Sequence, residues 1–146
     1  AFCYYNNPEM TAKKFYKGWL YTGDVGTWDE NEFVTISGRK DDMIVSAGEN
    51  IYPTQIEAVL NDHPKVAESA VIGIPDKLRG EIVAAYVVPL DDSLTVEELK
   101  EYCTSSPMLS AYKWPKIYNI VPELPHTATG KLMHYKLRQQ AVGKNK

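Results

Sequence analysis

Apolar positions in this chain fall in short runs, some alternating as strands do and others recurring every three or four residues as helices do. The aromatic stretch over residues 18–24, the turn-prone Asp29-Glu30-Asn31-Glu32 and the run Phe33-Val34-Thr35-Ile36 together predict a hairpin. A second short hairpin is predicted from residues 43–45 and 50–52, turned at Ala47-Gly48-Glu49. After Pro53, Thr54 and Glu57 stand at capping-box spacing, and Ile56, Val59 and Leu60 follow with helical period, which predicts a helix over residues 55–61.

Residues 66–74 and 81–88 are rich in Val, Ile and Ala and are separated by the turn-prone segment 75–80, the pattern of two paired strands. Thr95 and Glu98 repeat the capping-box spacing, with Leu94 and Leu99 placed for a hydrophobic staple, so a second helix is expected to run to about Cys103. Residues 116–121 read as a further strand. A last helix is expected to start near Gly130, with Met133, Leu137 and Ala141 on one side, and residues 144–146 as a frayed tail. The sum is an α+β fold in which a two-stranded hairpin and a mixed three-stranded sheet are flanked by helices.

Composition narrows the function. At 146 residues the chain can bury a core, but it is short for an enzyme that must enclose a nucleotide and a second substrate. A net charge of -3 carries no footprint for nucleic acid. No apolar run approaches the roughly 20 residues that span a bilayer. Cys3 and Cys103 lie far apart, with no metal-ligand spacing, which fits a reducing, cytoplasmic setting and predicts no metal site. The start at Ala1, with Tyr4-Tyr5-Asn6-Asn7-Pro8-Glu9 behind it, reads as an excised fragment.

Three loops combine glycine with a defined charge. In the first, Asp24 follows Gly23 at a strand end, where a carboxylate can accept hydrogen bonds from a vicinal diol or simply stabilise a turn. In the second, Gly38 to Asp42, the donor fork of Arg39 suits a ribose or phosphate oxygen, and Asp41 sits between two hairpins where the backbone can swivel; a solvated charged turn is the alternative. The third carries Lys131 on the loop Thr127-Ala128-Thr129-Gly130, at or just before a helix N-terminus and on a flexible tether, from which it could neutralise an anion; taken by itself it reads better as a surface lysine. His63, His126 and His134 show no ligand or nucleophile spacing and read as surface or capping residues. The chain contains no GxxxxGK[ST] phosphate cradle.

Taken in order, these loops resemble the closing motifs of the adenylate-forming superfamily, which includes acyl- and aryl-CoA synthetases, peptide-synthetase adenylation domains and luciferases. Gly18-Trp19-Leu20-Tyr21-Thr22-Gly23-Asp24 is similar to its ribose motif, Gly38-Arg39-Lys40-Asp41-Asp42 to its hinge motif, and residues 125–131 to its catalytic-lysine motif. The resemblance spans Tyr5 to Leu137. It implies that residues 1–40 end a large N-terminal adenylation domain, as a hairpin remnant, and that residues 41–146 form a mobile C-terminal lid.

By the same resemblance, Asp24 and Arg39 hold the ribose of ATP or AMP, and Lys131 bridges the carboxylate and the α-phosphate. Asp41 is the hinge, and the hairpin around Gly48 faces the pantetheine tunnel of CoA. A small carboxylic acid, ATP, CoA and the chain's own N-terminal domain are the implied partners, with Mg2+ held by that missing domain and the phosphates. Gly48-Glu49-Asn50-Ile51-Tyr52-Pro53 resembles acid–CoA ligases, whereas peptide-synthetase domains usually carry arginine where Asn50 stands. His126 departs from a frequent Lys or Arg, and His134 from a frequent Arg. The expected function is that of a C-terminal fragment of an AMP-forming acid–CoA ligase, inactive alone. Loading of a carrier protein and a non-catalytic interaction module are the alternatives.

Overall fold

The computed structural model describes residues 3–143, so the expected tail at 144–146 lies outside the described residues. The chain divides into two compact units, one ending at Asp41 and the other beginning at Asp42.

The first unit opens with helix α1 (Pro8–Lys14), which sequence patterning did not predict. Its signals are nevertheless local: the Asn7 side chain accepts from the Met10 amide at 2.9 Å, Pro8 opens the first turn, Glu9 sits in that turn and Lys13 and Lys14 in the last. The aromatic stretch that should have formed one arm of the hairpin is divided. Strand β2 (Trp19–Leu20) turns back on β1 (Phe15–Tyr16), and β3 (Asp24–Trp28) is the arm that pairs with β4 (Val34–Arg39). Gly23, at φ +87°, breaks the run between them, a conformation that costs other residues a Cβ clash. Asp29 builds the far turn by accepting from the amides of Asn31 and Phe33, each at 2.9 Å.

Among the described residues of this unit only Gly38 is buried. Trp19, Trp28, Phe33 and Ile36 are all exposed, Trp28 at 72%. This is a folded segment without a core of its own.

The second unit has one. Strands β5 (Ile44–Ser46) and β6 (Glu49–Ile51) form the expected short hairpin, followed by α2 (Pro53–Asn61), β7 (Val66–Asp76), β8 (Gly80–Pro89), α3 (Val96–Ser105), β9 (Ile117–Ile120) and α4 (His134–Gly143). β7 and β8 are antiparallel along their whole length, and β9 runs parallel to β8. A single pair, Ser46 with Gly80, joins the hairpin to the three-stranded part, so one five-stranded sheet results. Since β7 occupies one edge of β8 throughout, β5 and β9 share the other.

The near-continuous apolar runs of β7 and β8 follow from cover on both faces of the sheet. Val71, Val83, Ala85 and Val87 pack with Ile56, Leu60, Leu99 and Cys103 of α2 and α3, while Ala70, Ile72, Ile74 and Ala84 pack with Leu137 and Ala141 of α4. The alternation of even and odd positions along each strand sorts them between the two clusters.

Two local expectations are corrected. The capping box at Thr95 and Glu98 forms in both directions, but the one at Thr54 and Glu57 does not: Tyr52 caps α2 without a side-chain bond, Pro53 fills its first position, and Glu57 is turned inward. The last helix starts at His134 rather than near Gly130, because residues 126–132 are held as a small hairpin.

Candidate functional site

Asp24 and Arg39 are cross-strand partners at the open end of the β3–β4 ladder, and their side chains meet with Nε 3.4 Å from Oδ1. The Asp24 amide donates to Thr22 Oγ1 at 3.1 Å, and Lys40 N to Gly23 O at 2.8 Å, which fixes the turn that presents the carboxylate. Both side chains remain accessible, Arg39 at 54% and Asp24 at 35%. An ion pair that wet is worth no more than about 1 kcal/mol, so a ligand can share or replace it at little cost. Chemically the pair offers two acceptor oxygens and a fork of donors to a polar ligand.

Asp41 lies in the single-turn helix Lys40–Asp42, at the point along the sequence where the units divide. Beyond it Asp42 accepts from Arg138 Nη2 of α4 at 3.0 Å. Gly48 forms the β5–β6 turn with Ala47, at φ +86° and +51° respectively, the two left-handed residues of a type I′ connection. Nothing stands within 4 Å of where a Gly48 side chain would begin, so its surroundings are open and only the backbone demands glycine.

The third loop closes on itself through hydrogen bonds. His126 and Leu132 bridge as antiparallel partners, Thr127 N donates to Lys131 O at 2.8 Å, Gly130 N to Thr127 O at 2.9 Å, and Lys131 N to Thr127 Oγ1 at 3.0 Å. Thr127 therefore satisfies the backbone on both sides of the turn, and Gly130 supplies its left-handed residue at φ +82°. Lys131 follows at an exposed position, with no ion-pair partner for its ammonium among the described residues. Because α4 begins only at His134, the helix dipole bears less directly on Lys131 than the sequence implied. The result is a hydrogen-bonded base carrying an exposed cationic arm.

Two of the three histidines are covered rather than on the surface. His63 is buried; its Nδ1 accepts from the Lys65 amide at 3.1 Å and its ring stands edge-on to Tyr102 at 4.7 Å. His126 is exposed but paired with Glu68. His134 is largely covered and places Nε2 2.6 Å from Glu57 Oε1, which also accepts from Val71 N at 2.8 Å. Burial works against the imidazolium, but the hydrogen bond and charge of Glu57, aided by Asp42, outweigh it and the opposing Arg138, and raise the His134 pKa above its ordinary value.

Glu57 and Glu68 were missed as site residues. The available signal for Glu57 was a carboxylate set among Ile56, Val59 and Leu60 on the apolar face of α2, which requires a buried partner. Among the described residues no group of three or more His, Cys, Asp or Glu side chains could hold a metal, and no helix is long and apolar enough to cross a membrane.

Over residues 55–131 the chain matches the family model described as the AMP-binding enzyme C-terminal domain, a match that ends on Lys131. It is 45% identical over 139 residues to a long-chain-fatty-acid–CoA ligase of Yersinia pestis, covering 95% of this chain and 24% of that protein. It is also similar to the solved structure of o-succinylbenzoate CoA synthetase from Bacillus subtilis in complex with its acyl-adenylate intermediate. There the identity is 38%, over 93% of this chain and 28% of that one, with a TM-score of 0.86. The anthranilate CoA ligase AuaEII in complex with anthranoyl-AMP gives a TM-score of 0.89 at 34% identity, over 100% of this chain and 29% of that one. The chain thus spans about a quarter of the length of the curated relatives it matches.

Proposed function

The chain belongs to the family of AMP-binding enzyme C-terminal domains, and from that premise we propose that it is the closing portion of an ATP-dependent acid–CoA ligase. In the first half-reaction a carboxylate oxygen attacks the α-phosphorus of ATP, and pyrophosphate leaves that phosphorus, giving the acyl-adenylate. In the second, the CoA sulfur attacks the acyl carbon and AMP leaves. Asp24 and Arg39 hold the ribose, Lys131 neutralises charge between carboxylate and α-phosphate, Asp41 is the hinge, and the turn at Gly48 faces the pantetheine arm. Reactive anhydride and long thiol need different enclosures, which is the physical reason for a lid that moves between the two steps.

The observation that carries this reading is the paired Asp24 and Arg39 on one ladder and the exposed Lys131, without an ion-pair partner among the described residues, on a hydrogen-bonded hairpin, in a chain 45% identical to a CoA ligase. The coreless first unit, with Trp19, Trp28 and Phe33 exposed, supports a larger domain covering it, and hence an inactive isolated fragment. Asn50 favours CoA over a carrier-bound thiol. The free cysteines suit a reducing cytoplasm.

The test is acid-dependent pyrophosphate release and CoA-thioester formation by the full-length protein over a panel of fatty and aryl acids. Release without thioester, rescued only by a carrier protein, would replace CoA as the acceptor, and no release with any acid would overturn the ligase reading. In the same assay Asp24→Asn is expected to raise the KM for ATP by about ten- to a hundredfold, since a charge-assisted hydrogen bond is worth roughly 1.5–3 kcal/mol. An unchanged KM would remove Asp24 from the ribose site.

A further inference from the structure

The lysine hairpin is tied down at both ends, and by the same chemistry. His126, which opens it, pairs with Glu68 of β7. His134, which starts α4 three residues beyond Lys131, bonds Glu57 of α2. The same Glu57 oxygen accepts from Val71 N, so one carboxylate joins α2, β7 and the start of α4. The lysine arm itself touches neither pair. Its base is therefore clamped to the body of the domain while its head stays free.

We propose that His126 and His134 are positioning residues for Lys131, holding the hairpin on α2 and β7 through Glu68 and Glu57, and that the inner clamp makes acyl-adenylate formation depend on pH. The proposal rests on the assignment of Lys131 to that step. The groups facing His134 are Glu57 from α2, Asp42 from the turn before β5, and Arg138 from its own helix; β7 contributes Glu68, which is taken up by His126.

The sign follows from this surrounding. A histidine whose folded pKa is raised contributes fully below its ordinary value and loses that contribution as pH rises through the raised one. The inner clamp is fully charged below the ordinary histidine value. Once pH has risen through the raised value His134 can still donate a neutral hydrogen bond, but the attraction between imidazolium and carboxylate is lost and the hairpin gains freedom. Misplacing a catalytic group by about 1 Å can cost on the order of a hundredfold, so a partial loosening should be visible as a few-fold change.

The experiment uses the full-length protein and follows pyrophosphate release and the conversion of preformed acyl-adenylate to thioester separately, each from pH 6 to 9. His134→Gln and Glu57→Gln are expected to lower adenylation about three- to tenfold at neutral pH and leave thioester formation within about twofold. Wild-type adenylation is expected to fall as pH rises through the raised His134 pKa, and His134→Arg, with permanent charge, to flatten that fall. If His134→Arg does not fold, Glu57→Gln carries the same test, since it removes the charge that the imidazolium answers. A wild-type pH profile in these variants, or equal loss in both half-reactions, overturns the clamp. Adenylation that survives Lys131→Ala would instead overturn the assignment beneath it.

Discussion

Lys131→Ala in the full-length protein is expected to reduce acid-dependent pyrophosphate release by about a hundred- to a thousandfold while a preformed acyl-adenylate is still converted to thioester within about twofold of wild type. The size follows from what the side chain does on the proposed reading. Two anions, a carboxylate and an α-phosphate, must meet in a site that excludes water, and there a single placed cation is worth several kcal/mol. The asymmetry follows from the second step: when the thiol attacks, the leaving group is already bound and no carboxylate approaches a phosphate.

Lys131→Arg retains the charge but is expected to recover only part of the rate. The guanidinium is a planar fork on a differently shaped stem, and the hairpin under it is fixed by Thr127 and cannot shift to compensate. A Lys131→Ala protein in which both half-reactions run at wild-type rate would mean that the lysine is an ordinary surface residue, the reading its spacing alone favoured.

The loops that hold the candidate residues were legible because each is built from short-range signals. Gly23 before Asp24, Gly48 in the β5–β6 turn and Gly130 before Lys131 all adopt positive φ in the structure. Long-range pairing was not legible. Thr54/Glu57 and Thr95/Glu98 have the same spacing, yet only the second pair forms a capping box, since Glu57 faces β7 and is claimed by Val71 N and His134, 14 and 77 residues away. A local pattern cannot show which face of a helix will be covered. The same blindness placed the start of the last helix too early: the bridge between His126 and Leu132 keeps the chain out of helical geometry up to Leu132, just before the run of Met133, Leu137 and Ala141 whose periodicity looked helical. Helix α1 is a different case, with Asn7, Pro8 and Glu9 a complete start signal that the lack of a buried face obscured.

The second unit's own stability should rest on the cluster between the sheet and the pair α2 and α3, and Leu99→Ala is expected to destabilise the segment 42–146 by about 3–5 kcal/mol. Leu99 is fully buried and lies among Leu60, Val87 and Cys103, which are also fully buried, so neighbouring side chains have little room to collapse into the space left. Its helix is anchored by the Thr95 and Glu98 capping box one turn away, and this prevents α3 from sliding to refill the cavity. Urea unfolding of that segment, wild type against variant, measures the difference directly. A loss below about 1 kcal/mol would show that α3 is a peripheral cover and that α2 with the sheet holds the fold, in which case Leu60→Ala should carry the larger penalty.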